Sequence, residues 1–225
     1  MSEDRVVDVR QRILAENDRR AQEMRRAFRD RGTLVVNLIS SPGSGKTTLL
    51  EQTIHALRDR YRLGVLVGDI ATERDAQRLR DLGIPAHQIL TGGACHLDAR
   101  QIHAALEEIE VADLDFLFIE NVGNLICPTS YDLGEDYKVV LLSVTEGEDK
   151  PFKYPAIFSR ARITLVTKAD LMPHVEFSLD EVREQVRSLC PQGRLLVVSA
   201  KGEPGIGEWT QSLEEELRAK RDGET

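Results

Sequence analysis

The chain has 225 residues, 41% apolar and 30% charged, with a formal net charge of −8 at pH 7. At ~100–200 residues per domain this is one globular domain with room for a real core, which excludes a disordered or fibrous chain. The negative charge argues against nucleic acid as the main ligand, and no run of ~18 uncharged apolar residues is present to cross a membrane.

The first residues are charged and contain no apolar signal core, so a cytoplasmic protein is expected. Cys95, Cys127 and Cys190 are then reduced thiols, free to pack, to react or to bind a metal. Residues 1–31 carry nine arginines against seven acids. Val6, Val9, Ile13, Leu14, Ala21, Met24 and Phe28 recur at helical spacing, and Gly32 is a natural stop. One or two amphipathic helices are predicted over 1–32, as an extension ahead of the main domain over 33–225. With acids interleaved among the arginines, this extension reads as a packed or partner-facing helix rather than a lipid- or RNA-binding arm.

From Thr33 the period changes. Thr33–Ile39 is a β-rich run, Thr47–Arg60 has helical spacing and Leu63–Val67 is a second apolar run. Thr72–Leu82 reads as a helix, Gln88–Leu90 as a short strand and Leu97–Ile109 as a helix. Phe116–Ile119, Val139–Val144, Ile163–Val166 and Leu195–Val198 read as strands, and Phe177–Leu189 and Gly207–Lys220 as helices. Near-continuous apolar strands separated by helices predict an α/β fold: a parallel sheet with helices on both faces.

The strongest chemical signal is Ser40-Ser-Pro-Gly-Ser-Gly-Lys-Thr-Thr48, which follows a strand and opens a helix, as a phosphate-binding P-loop must. Gly43 and Gly45 let the backbone around Ser44 curl, so that its amides and the start of the helix at Lys46–Thr48 face phosphate oxygens. Lys46 is expected to reach the β- and γ-phosphates, and the Thr47 hydroxyl to ligate magnesium. Ser40 stands where the usual pattern has glycine.

Two later segments select the base. Thr167-Lys168-Ala169-Asp170 and Ser199-Ala200-Lys201 each follow a strand, and together they resemble the guanine-reading pair of GTPases. Asp170 would accept hydrogen bonds from the guanine ring N–H and amine. The Lys168 stem would cover the base, and the Ala200 amide would meet its oxygen. Thr167 replaces the usual asparagine.

Acids at two further strand ends suit magnesium and water. Asp69 follows Leu63–Val67, and Glu120 opens Glu120-Asn-Val-Gly123, a counterpart of the segment that senses a γ-phosphate. Asp75 is a candidate for orienting the attacking water; the alternative is a solvated helix acid. Cys95-His96 precedes one helix, and Cys127-Pro128 follows the Glu120–Gly123 segment. Thiolate and imidazole suit zinc or nickel, and three protein ligands leave a position open for transfer; buried packing is the competing reading. His103 reads as a surface or packed residue and Cys190 as structural.

On these segments the sequence resembles the HypB family, GTPases that help insert nickel into nickel–iron hydrogenases. The resemblance runs from Leu34 to the C-terminus and rests on Ser40–Thr48, Gly68–Ala76, Cys95–Ala99, Glu120–Leu125, Cys127-Pro128 and Ser143–Pro155. It implies a GTP-dependent homodimer that binds nickel or zinc through Cys95, His96 and Cys127 at the dimer interface. The implied partners are a nickel-donating or nickel-accepting maturation protein and the hydrogenase large subunit. Some members carry an N-terminal cysteine motif or His-rich tract for tighter nickel binding; here no Cys or His precedes His55, so delivery is favoured over storage. The expected function is therefore a GTP-hydrolysing nickel metallochaperone, with hydrolysis slow without a partner because no arginine is visibly placed as a finger. The related urease nickel-insertion GTPases, which carry Cys-Pro-His in one stretch, are the runner-up. A GTP-controlled assembly switch whose thiols only pack is the reading from another class.

Overall fold

The computed structural model describes residues 3–69, 74–109 and 113–223, with the backbone alone for 3–10. The predicted 1–32 extension is a single helix, α1 (Glu3–Arg31), ended by Gly32 at φ +67°. There the Gly32 amide donates to Arg29 and the Thr33 amide to Phe28, each at 3.0 Å, satisfying carbonyls that the helix leaves open. The predicted stripe positions Val6 and Val9 fall where side chains are not described. Further along, Ala21, Met24 and Phe28 are buried against the sheet.

Among the described residues seven strands follow: β1 (Leu34–Ser40), β2 (Leu63–Asp69), β3 (Ala86–Leu90), β4 (Phe116–Glu120), β5 (Tyr137–Ser143), β6 (Ala161–Thr167) and β7 (Arg194–Val197). Their spatial order is β3-β2-β4-β1-β5-β6-β7, with every pair parallel. All strands therefore end on one edge. Leu38 of β1 pairs with Glu120, Ser40 with Leu141, and Val67 of β2 with Glu120, so the acids and the P-loop leave the sheet side by side.

Residue alternation divides the core. Val36, Leu38, Val65, Phe118 and Val139 pack beneath α2 (Lys46–Leu57), α3 (Arg74–Arg80) and α8 (Gly207–Arg221). There the buried Trp209 indole N–H donates to Thr53 Oγ1 at 3.0 Å. On the other face Val35, Leu66, Leu117 and Ile119 meet α1 and α4 (Ala99–Leu106). Ile39, Val140 and Val166 meet α6 (Pro155–Phe158) and α7 (Leu179–Leu189). The expected two-sided parallel sheet is the fold found. Among the described residues no helix is long and apolar enough to cross a membrane.

The boundaries depart from the sequence reading where local chemistry intervenes. The Leu97–Ile109 pattern is helical over Ala99–Leu106 only. Asp98 Oδ1 accepts from the Gln101 amide at 2.8 Å and Gln101 Oε1 from the Asp98 amide at 2.9 Å, a capping box that fixes the start at Ala99. Of the Thr72–Leu82 helix, Arg74–Arg80 is found; its first residues, Thr72 and Glu73, lie outside the described residues, as do Ile70 and Ala71 of the Gly68–Ala76 segment. Two short helices, α5 (Lys150–Lys153) and α6, were not read from the sequence; each has a proline in its first turn.

Candidate nucleotide site and metal centre

The loop between β1 and α2 curls as its glycines require. Gly43 and Gly45 sit at φ +77° and +97°, and a Cβ at either would meet nothing within 4 Å. Gly45 is the N-cap of α2 and supplies no side-chain cap, so the first amides of the helix remain available to an anion. A cavity of about 680 Å³ opens here at the carboxyl edge of the sheet. It is lined by Gly43, Ser44, Gly45, Lys46, Thr47 and Thr48, by Asp69, Asp75, Glu120 and Gly123, and by Thr167, Lys168, Asp170, Ala200 and Lys201. Ser199 stands behind this wall. Its hydroxyl donates to Asp170 Oδ1 at 2.6 Å and accepts from the Lys201 and Gly202 amides at 3.2 and 3.1 Å, which orients the carboxylate.

Thr167 braces the P-loop despite replacing asparagine: its hydroxyl donates to the Ser44 carbonyl at 2.8 Å. Lys168 takes the left-handed conformation at φ +58°, and its ammonium donates to the Gly43 carbonyl at 2.8 Å. Glu146 is a further brace that sequence reasoning missed. One of its oxygens accepts from the Ser44 hydroxyl at 2.6 Å and from the Ser143 amide at 3.1 Å. Its only sequence signal was its place in the Ser143–Pro155 segment.

The floor of the cavity concentrates charge. Lys46 is buried and donates to Ser40 Oγ at 2.9 Å, so the residue replacing glycine holds the lysine amine. Burial pushes the Lys46 pKa down, opposed by the carboxylates of Glu120, Asp75, Glu146 and Asp69. The Thr47 hydroxyl donates to Glu120 Oε1 at 2.8 Å. Burial pushes Glu120 up to about 7, against the pull of Lys46 and the Thr47 hydrogen bond. Among the described residues, Glu120 Oε2 is buried without a hydrogen-bond partner. An orphaned carboxylate oxygen beside a threonine hydroxyl, with Asp69 at the end of β2, is an all-oxygen donor set that fits a hard divalent cation such as magnesium.

Asp75 lines the cavity but is engaged by Arg78, whose guanidinium donates to it at 3.2 Å and forms two bonds to Glu51 at 2.8 and 2.9 Å. Arg78 itself borders the cavity. The sequence reading placed no arginine there; the available signal was the Asp75–Arg78 spacing on the helix that follows Asp69.

Past Gly123, which lines this cavity, the same segment leads to a thiol–imidazole cluster. Cys95 Sγ is 2.6 Å from Cys127 Sγ and 3.8 Å from His96 Nδ1. The donor atoms of Cys95, His96 and Cys127 all lie within 4.8 Å of one another, and all three residues are half-buried. The hydrogen bond to Cys127, and then burial, raises the Cys95 pKa. Burial lowers the His96 pKa, against Asp98, and favours the neutral imidazole that ligates metals. The His96 ring stacks on Tyr131, with centroids 3.9 Å apart.

Asn124 joins the two ligand loops. Its amide N–H donates to the Cys95 carbonyl at 3.2 Å, while its Oδ1 accepts from the Ile126 and Cys127 amides at 2.8 and 3.4 Å. One residue earlier, a Cβ on Gly123 would sit 3.0 Å from Pro42 of the P-loop. The segment leading to Cys127 thus lies directly on the phosphate loop. Cys190 is remote from the cluster and donates to the Ala161 carbonyl at 3.5 Å; His103 is exposed on α4.

The family model described as the CobW/HypB/UreG nucleotide-binding domain matches residues 34–197. A hydrogenase maturation factor HypB of Azotobacter chroococcum is 47% identical, over 98% of this chain and 72% of that protein. A hydrogenase/urease maturation factor HypB of Helicobacter hepaticus is 46% identical, over 93% of this chain and 87% of that protein. The crystal structure of HypB from Helicobacter pylori in complex with nickel superposes with a TM-score of 0.82 at 41% identity, covering 92% of this chain and 96% of that one.

Proposed function

The chain belongs to the CobW/HypB/UreG family, and from that premise we propose that it is a GTP-hydrolysing nickel metallochaperone serving nickel–iron hydrogenase maturation. One observation carries the reading. The Cys95, His96 and Cys127 donors converge, and Cys127 lies four residues past Gly123, which lines the P-loop cavity, on the segment that begins at Glu120.

In this reading the P-loop amides and Lys46 hold the triphosphate, and Asp170 reads guanine with Lys168, Ala200 and Lys201 around the base. Thr47, Asp69 and Glu120 would hold magnesium, which when bound neutralises phosphate charge. Asp75 orients the attacking water. The buried Lys46 ammonium meets charge that develops on the phosphoryl oxygens in a site from which water is largely excluded, where a fixed donor is most effective. Nickel is the cargo, held by two thiolates and an imidazole with a position left for an acceptor; zinc fits the same donors. Coupling between two such sites is typically ~1–3 kcal/mol, a roughly 5–150-fold change in affinity, enough to bias release toward one nucleotide state. The partners in this reading are a second copy of the chain, a nickel-donating or nickel-accepting maturation protein and the hydrogenase large subunit. The double name of the Helicobacter hepaticus relative supports urease as a second nickel destination.

The test is nickel and zinc binding to the apo, GDP-bound and GTP-analogue-bound protein, with solution mass read in parallel and Cys127→Ala as control. Metal binding that shifts with nucleotide and disappears in the control is expected. Binding indifferent to both would leave a GTPase with structural cysteines.

A further inference from the structure

The two ligand loops of the metal centre are distant in the chain and share no secondary structure. Two asparagine side chains join them. Asn124 bridges the Cys95 carbonyl and the Cys127 amide. Asn17 of α1 is buried, although an asparagine on a helix normally faces solvent. Its amide N–H donates to the Asp132 carbonyl at 2.8 Å, five residues past Cys127, and its Oδ1 accepts from the Ala99 amide at 2.8 Å, three residues past His96.

The supports of the two amides differ. Asn124 follows Gly123, which rests on Pro42 of the phosphate loop, and Glu120 of the same segment is bonded to Thr47. Any rearrangement of 120–123 around a γ-phosphate therefore moves Asn124. Asn17 stands on a helix whose neighbouring turns bury Ala21, Met24 and Phe28 against the sheet and whose Arg25 is paired with Asp132 at 2.5 Å. None of these contacts touches the nucleotide cavity.

We propose that Asn124 is the positioning residue through which nucleotide state reaches the metal ligands, while Asn17 holds the same two loops together in every nucleotide state. This rests on the nickel-metallochaperone reading above. It also gives the N-terminal helix a role: it is the fixed jaw of the clamp.

The experiment titrates nickel(II), added as a simple salt, against the full chain in its GDP and GTP-analogue forms. Affinity is read by competition with a chromophoric chelator, and site geometry by thiolate-to-nickel charge-transfer absorption. The unsubstituted protein should show an affinity ratio between the two forms in the roughly 5–150-fold range typical of coupled sites. Asn124→Ala should bring that ratio to within about twofold of unity and make the absorption band the same in both forms, with nucleotide affinity of the nickel-free protein unchanged. Asn17→Ala should weaken nickel binding by the same factor in both forms and keep the ratio. Should Asn124→Ala fail to fold, Asn124→Asp keeps the acceptor for the Ile126 and Cys127 amides and removes only the donor to Cys95; it should lower the ratio in the same direction. A full ratio in the Asn124 variants overturns the proposal, as does an Asn17→Ala protein that loses the ratio or binds nickel as tightly as the parent. No ratio in the unsubstituted protein overturns the underlying reading instead, and the proposal with it.

Discussion

Glu120, proposed above to hold magnesium, carries a buried carboxylate whose ionisation costs the folded chain. Its ordinary pKa of 4.5 rises to about 7 in the folded chain, chiefly through burial, and one of its oxygens has no partner among the described residues. The folded state therefore holds the Glu120 proton more tightly than the unfolded state does. Stability from this group is highest below pH 4.5, declines as pH rises from 4.5 to 7, and stays low above that. With those two values the ionised group destabilises the apo protein by about 3 kcal/mol at pH 8 and about 0.8 kcal/mol at pH 5. Glu120→Gln removes the charge but keeps the acceptor for Thr47. The apo variant should thus be more stable than the parent by about 3 kcal/mol at pH 8, which moves a urea midpoint up by about 1 M at a slope near 3 kcal/mol/M. At pH 5 most of the gain should vanish. Magnesium-dependent nucleotide binding should be lost in the same variant. A gain of equal size at both pH values, or none at pH 8, would refute the assignment of Glu120 as a buried carboxylate awaiting a cation.

Three further outcomes follow from the geometry. Lys46→Ala should cut phosphate release from GTP by about 100-fold or more, since a buried fixed donor to the phosphoryl oxygens is removed; undiminished release would sink the P-loop assignment. Asp170→Asn should reduce the preference for GTP over other nucleoside triphosphates by about 10–100-fold, from ~1.5–3 kcal/mol for hydrogen bonds to a charged group. Competition binding reads it, and an unchanged preference counts against the guanine reading. Phe28→Ala should destabilise the chain by about 3–5 kcal/mol in chemical denaturation, the range for a fully buried phenylalanine; a loss below about 1 kcal/mol would show that α1 packs loosely.

What the sequence made legible was the chemistry that tolerates few residue types. A curled phosphate loop requires glycines, a phosphate-facing cation requires a lysine, and parallel strands buried on both faces require continuous apolar runs. Ser40–Thr48, Thr167–Asp170 and the strand order of motifs could be read for these reasons. The connections between segments could not. Asn17 and Asn124 join residues far apart in the chain, and an asparagine amide has no spacing rule that reveals a distant partner. Glu146 reads as one acid in an acidic stretch until the fold brings it to Ser44. The apolar stripe from Leu97 predicted a helix starting too early because periodicity does not see the capping box at Asp98, which sets its start at Ala99.

Ala21, Met24 and Phe28 of helix α1 belong to the same buried apolar cluster as Val35, Leu117 and Ile119 on one face of the sheet. A chain shortened to begin at Thr33 would keep every residue proposed to bind nucleotide or metal and still lose the α1 side of that cluster. Exposed apolar surface on a parallel sheet is prone to self-association, and such a fragment would be drawn toward aggregates or toward borrowing the helix of a neighbour. Expression vectors, crystallisation fragments and grafting experiments built on this protein therefore need the first helix for solubility, whatever part of its chemistry they aim to isolate.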